Sequence, residues 1–164
     1  HFRLAVQTAA LNGHLSVVEW LNPTGSDANI PDAMRSAAEN GHLLVLEWLH
    51  ANSHRKPNGA IASAAANGHL QVVEWLQANR FGDYDSCIRR STNNPFTINR
   101  ETIMDRAASN GHLSVVEWLQ HTQFEGCSTR ALDWAAKNGH LRVVEWLHTK
   151  RSEGCTVEAM DRAA

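Results

Sequence analysis

Along residues 9–21, AALNGHLSVVEWL, apolar positions fall into two clusters separated by an Asn-Gly step. With a helix turning by about 100° per residue, Leu15, Val17, Val18 and Leu21 lie at about 0°, 200°, 300° and 240° and form one broad apolar face. Ser16 and Glu19, at about 100° and 40°, point to water, and Trp20, at about 140°, lies on the border. The pattern predicts a short amphipathic helix starting at Leu15. The phrase then returns as AAENGHLLVLEWL at 37–49, AAANGHLQVVEWL at 64–76, AASNGHLSVVEWL at 107–119 and AAKNGHLRVVEWL at 135–147. An active site is built once, so a phrase written five times reads as scaffolding.

The glycines of the phrase, Gly13, Gly41, Gly68, Gly111 and Gly139, are spaced by 28, 27, 43 and 28 residues. One repeat is therefore about 28 residues, and the third junction carries roughly 15 more. A sixth repeat opens with TVEAMDRAA at Thr156 and stops at Ala164. Each repeat predicts two helices. The first, TRALDWAAKN in the fifth repeat, is alanine-rich and slim enough for close approach. Asn138-Gly139 ends it, because glycine takes the left-handed conformation that stops a helix. The second runs from about Leu141 to His148. Pro31 falls at the start of the first helix of repeat two, where proline is best tolerated, and Ser128 and Thr156 hold the matching N-cap register.

A helix pair this short cannot bury its apolar face alone, whereas stacked copies can. The predicted fold class is all-α, an α-solenoid of five complete or nearly complete helix-turn-helix repeats and the start of a sixth. The chain reads as one array over 1–164, interrupted by an insertion at about 80–98. Both ends fall inside a first helix, and His1 is neither Met nor followed by a charged-then-apolar leader, so the expectation is a segment of a longer array.

Ala9-Ala10, Gly13-His14, Val17-Val18 and Leu21, with their equivalents in the other four repeats, resemble the ankyrin family in order and spacing. That resemblance covers nearly the whole chain outside the insertion. It implies a non-catalytic scaffold that binds a protein partner along the concave side lined by first helices. Two features depart from the family. Its Thr-Pro-Leu-His element is replaced by RALD at 130–133, TIMD at 102–105 and EAMD at 158–161. The repeats are also about five residues shorter than the usual 33 or so. The deficit falls between Leu147 and Ala159, where a β-hairpin finger would sit, and predicts tight turns such as RSEGCT at 151–156.

Composition narrows the chemistry. A chain of 164 residues with 43% hydrophobic and 20% charged residues suits a folded domain. The net charge of −2 argues against coating nucleic acid, and Asp83 and Asp85 dilute the one arginine cluster, Arg80, Arg89, Arg90 and Arg100. No apolar run reaches the length of a membrane span. Three cysteines without a CxxC pair argue against a disulfide framework and for a reducing, intracellular compartment. His14, His42, His69, His112 and His140 suggest a metal ladder, but equivalent side chains on stacked helices stay about 8–10 Å apart and cannot share an ion that needs nitrogens at about 2 Å. A turn-closing role fits them better. The repeated Glu-Trp pairs read as solvated glutamates beside tryptophan wedges between repeats. Cys127 and Cys155, in the matching EGCS and EGCT, read as small buried hydrophobes. No nucleophile elbow, phosphate loop or HExxH is present, so neither catalysis, cofactor nor metal is expected.

Function in such an array belongs where the repeats disagree. Five residues before each glycine stand Thr8, Ser36, Ser63, Arg106 and Trp134, with Arg162 in the sixth repeat; one residue earlier stand Gln7, Arg35, Ala62, Asp105, Asp133 and Asp161. Arginine and tryptophan are typical interface anchors. Arg35, Arg106, Trp134 and Arg162 are therefore the candidate contact residues of the first helices, with a local plug as the alternative for Trp134. The insertion, RFGDYDSCIRRSTNNPFTI, adds Phe81, Tyr84, Arg89 and Arg90. A long loop of aromatics and arginines reads as a contact surface, an ordered cover or a passive remnant. A purely architectural spacer within a larger protein is the alternative function.

Overall fold

The computed structural model describes residues 2–22, 30–53, 55–57, 59–79, 81, 103–122 and 129–150. Among these residues the protein is helical without strands. Five helix pairs follow one another: α1 (Phe2–Leu11) and α2 (Leu15–Leu21), α3 (Ile30–Glu39) and α4 (Leu43–Ala51), α5 (Ala60–Ala66) and α6 (Leu70–Ala78), α7 (Ile103–Ser109) and α8 (Leu113–His121), α9 (Thr129–Lys137) and α10 (Leu141–Lys150). α10 runs two residues beyond the expected His148. Pro31 sits in the first turn of α3, where no intrahelical donor is lost. Ser128, Thr156, Cys127, Cys155 and the turn at 151–156 lie outside the described residues, as does the sixth repeat.

The chain divides into two compact bodies, residues 1–64 with 69–96, and residues 65–68 with 97–164. In the first body α1 packs against α2 and α3, α3 against α4, and α2 against α4. In the second, α7 packs against α8 and α9, and α9 against α10. Each is thus a stack of helix pairs, built as the repeat pattern predicts.

One turn closes all five pairs. Gly41 has φ +76°; its N–H donates to the Ala38 carbonyl at 3.3 Å and the His42 N–H donates to the Ala37 carbonyl at 2.9 Å. These two bonds satisfy carbonyls at the helix end that have no intrahelical donor, and they define a Schellman motif. The bond from the histidine N–H recurs at 2.9 Å in the other four repeats. The alanine pair therefore has two tasks: its carbonyls receive the turn, and its methyl groups let neighbouring first helices approach. Ala10, Ala37, Ala38, Ala64, Ala65, Ala107, Ala108 and Ala135 are fully buried.

On the second helices, the wheel holds where a helix pair has neighbours. Val45, Leu46 and Leu49 are buried in α4, as are Val72, Val73 and Leu76 in α6, and Val115, Val116 and Leu119 in α8. The leucine opening each of these helices, placed on the same apolar face by the wheel, is only half-buried at Leu43, Leu70 and Leu113, and exposed at Leu141. It lies at the rim of that face. Trp48, Trp75, Trp118 and Trp146 are half-buried, as a border position predicts, whereas Trp20 is 76% exposed.

Candidate protein-binding surface

The histidines of the phrase do more than close their own turn. The His42 ring leaves its repeat and lies on the glycine of the one before, where a Cβ on Gly13 would come within 2.6 Å of Nδ1. Its Nε2 lies 3.0 Å from the Leu11 carbonyl oxygen. A carbonyl can only accept, so Nε2 carries the proton. His69 lies in the same way on Gly41, and His140 on Gly111. In the second body asparagine reinforces this seam: Asn138 Nδ2 donates to the Ser109 carbonyl at 2.7 Å, and Asn110 Nδ2 donates to the Ala66 carbonyl. In the first body the matching Asn12 and Asn40 instead bond within their own helix, to Thr8 and Ser36. His42, His69 and His140, with Asn110 and Asn138 in the second body, thus hold neighbouring repeats in register. Among the described residues no group of three or more His, Cys, Asp or Glu side chains is placed to hold a metal ion, and no helix is long and apolar enough to cross a membrane.

The first-helix positions that differ between repeats divide by body. In the first, Thr8 is exposed, Ser63 is half-buried, and Ser36 is buried, accepting a bond from Gln7 Nε2 at 3.4 Å. Arg35 pairs with Asp32 one helical turn before it at 3.5 Å, both side chains about half exposed. In the second body Arg106 is exposed on α7 and Trp134 is half-exposed on α9, at equivalent positions of adjacent repeats. Asp105, although in a column of surface candidates, is fully buried; its neighbour in the column, Asp133, is half-buried. The carboxylate of Asp105 is a buried polar group of the second body that reading along the sequence misses, because the wheel of a seven-residue helix does not fix which side a neighbour covers.

Phe81, expected at a contact surface, is 4% exposed. Its ring stacks on Trp75 with centroids 5.6 Å apart, and meets the edge of His50 at 4.7 Å. His50 also lies edge-on to Trp75 at 5.4 Å, and its Nδ1 is buried without a hydrogen-bond partner. The ring thus serves as an aromatic platform, and Phe81 closes the first body after α6 instead of facing a partner. Phe81→Leu is expected to lower stability by about 1 kcal/mol through loss of the ring contacts, read as a shifted urea midpoint with changed tryptophan emission. Tyr84, Arg89, Arg90 and Arg162 lie outside the described residues.

Helix pairs of one register, ended by left-handed glycines and keyed by a histidine from the next repeat, define a helical repeat solenoid. A family model described as ankyrin repeats in three copies matches residues 4–87, 34–128 and 61–161. Spanning 4–161, these matches show that the chain belongs to the ankyrin-repeat family, whose members are generally protein–protein interaction modules and typically non-catalytic. A comparison with curated proteins gives no match.

Proposed function

We propose that residues 1–164 form a single ankyrin array with an insertion at about 80–98, acting as a non-catalytic scaffold for a protein partner and not for nucleic acid. The partner meets the first helices of the second body, with Arg106 and Trp134 as anchors. The observation that carries this reading is the contrast within one register. Where the first body has short polar side chains, the second has an exposed arginine in one repeat and a half-exposed tryptophan in the next. An apolar ring and a cation at equivalent positions of adjacent repeats suit a partner that presents an apolar side chain and a carboxylate. Arg35, Arg162, Tyr84, Arg89 and Arg90 remain secondary contacts of the same proposal. Phe81 is left out, because its ring is already buried.

Arg106→Glu and Trp134→Ala are each expected to weaken the partner's binding at least tenfold, about 1.4 kcal/mol, with unchanged circular dichroism. The measurement is retention of proteins from a cell lysate by the immobilised chain and the two variants, followed by calorimetry with the retained protein. A partner held equally by all three moves recognition to the insertion, which is then replaced by a short turn. No retained partner favours the spacer role.

A further inference from the structure

Every turn that ends a first helix is written Asn-Gly: Asn12-Gly13, Asn40-Gly41, Asn67-Gly68, Asn110-Gly111 and Asn138-Gly139. Glycine is what the left-handed turn requires, but asparagine before it brings a reaction with it. With no side chain in the way, the glycine amide nitrogen can bond to the asparagine Cγ. The Cγ–Nδ2 bond then breaks, and Nδ2 leaves as ammonia with the peptide proton. Water opens the resulting five-membered imide at one of its two carbonyls and leaves aspartate or its β-linked isomer. All five asparagines are exposed, so burial does not protect them. The turn does. Each glycine N–H donates to an alanine carbonyl, at 3.2, 3.3, 3.2, 3.1 and 3.0 Å in chain order, which holds the attacking nitrogen in place. The side-chain amides are tied as well. Asn12 and Asn40 bond to Thr8 and Ser36 of their own helices, whereas Asn110 bonds to Ala66 and Asn138 to Ser109, both in the preceding repeat.

We propose that Asn110 and Asn138 are deamidation sites that the stacked fold guards and whose conversion unlocks it. Opening of the turn frees the glycine nitrogen and admits the reaction, and the product does not restack. An ionised carboxylate only accepts hydrogen bonds. Facing the Ser109 carbonyl, which now lies 2.7 Å from Asn138 Nδ2, or the Ala66 carbonyl at 2.6 Å from Asn110 Nδ2, it replaces a bond between repeats by a repulsion. The β-linked product adds a backbone atom inside the turn and prevents the Schellman bonds from re-forming. At Asn12 and Asn40 a carboxylate also meets the negative end of its own helix, but it turns to water without releasing another repeat. The reaction is therefore common to these turns, and its consequence for the stack is set by where the asparagine amide donates.

The test incubates the chain at mildly alkaline pH, native and in unfolding guanidinium chloride, and follows the peptides carrying Asn110 and Asn138 by mass spectrometry. Conversion in the native chain is expected to be at least about tenfold slower than in the unfolded one, because it waits for local opening. A chain converted while unfolded and then refolded should melt below one unfolded only briefly. Substitution isolates the aspartate product from the β-linked one. Asn138→Asp and Asn110→Asp should each melt roughly 4 °C below the parent, and Asn12→Asp and Asn40→Asp within roughly 2 °C of it. Equal conversion in the native and the unfolded chain overturns the proposal, since the stack then guards nothing. So does an Asn138→Asp chain that melts no lower than Asn40→Asp, since the bond to Ser109 is then not what the conversion removes.

Discussion

Gly111→Ala is expected to destabilise the second body by about 3 kcal/mol, and Gly139→Ala by only about 1 kcal/mol, in urea unfolding followed by circular dichroism and fluorescence. Both glycines end a first helix with nearly the same left-handed backbone, φ +80° and +77°, so the conformational penalty of an L-residue, about 1–2 kcal/mol, is shared. What differs is the space. A Cβ on Gly111 would come within 2.5 Å of His140 Nδ1 and 2.8 Å of its Cε1 and Cγ, whereas among the described residues nothing lies within 4 Å of one on Gly139. The half-buried ring fills the seam between α9–α10 and the preceding pair, so moving it disturbs that packing. Gly111→Ala therefore has to displace it and loosen the stack. The ring is the stated cause, so removing it tests the account. In a His140→Ala background Gly111→Ala should fall to the backbone penalty alone, a coupling of about 2 kcal/mol in the relieving direction. Equal losses in both backgrounds would leave the backbone as the whole cause and remove the histidine's role as a key.

The same seam shows how far the sequence was readable. The 28-residue period, the Asn-Gly stop and the wheel of Val17, Val18 and Leu21 located every described helix pair, because helix periodicity and helix termination are local properties. The turn-closing reading of the histidines was correct only for their backbone, whose N–H completes the Schellman motif. The side chain goes to the neighbouring repeat, and nothing inside one 28-residue phrase specifies the rotation of the next copy against it. Phe81 was misplaced for a related reason. Its burial depends on Trp75 and on His50, 31 residues away, while its local setting of glycine, aspartate and arginine resembles a surface loop. Asp105 shows the limit from the other side: a charge in a variable column, placed by tertiary contacts in the interior. Arg106 and Trp134 stood out because they break the short polar pattern of their register, a difference the sequence alone displays.

The same aspartate placed at one register in two repeats should give opposite results. Val45→Asp is expected to cost more than about 4 kcal/mol and to unfold much of the first body, because it puts a carboxylate without a partner where the side chain is 1% exposed. Val17→Asp, in the chain as it stands, is expected to stay within about 0.5 kcal/mol, the usual range for a surface change, since that side chain already meets water. The local sequences, HLSVVEWL and HLLVLEWL, are almost the same, and both valines lie on the apolar side of their helices. Helix propensity therefore predicts equal effects, and only stacking predicts unequal ones. Circular dichroism and thermal melting of the two variants decide between them. Comparable small losses would mean that α4 is not held by the pair before it, and the seam built on His42 and Gly13 would have to be abandoned. A large loss at Val45 alone assigns the stability of this array to contacts between repeats, so that a repeat's contribution is set by whether it has a neighbour more than by what it is made of.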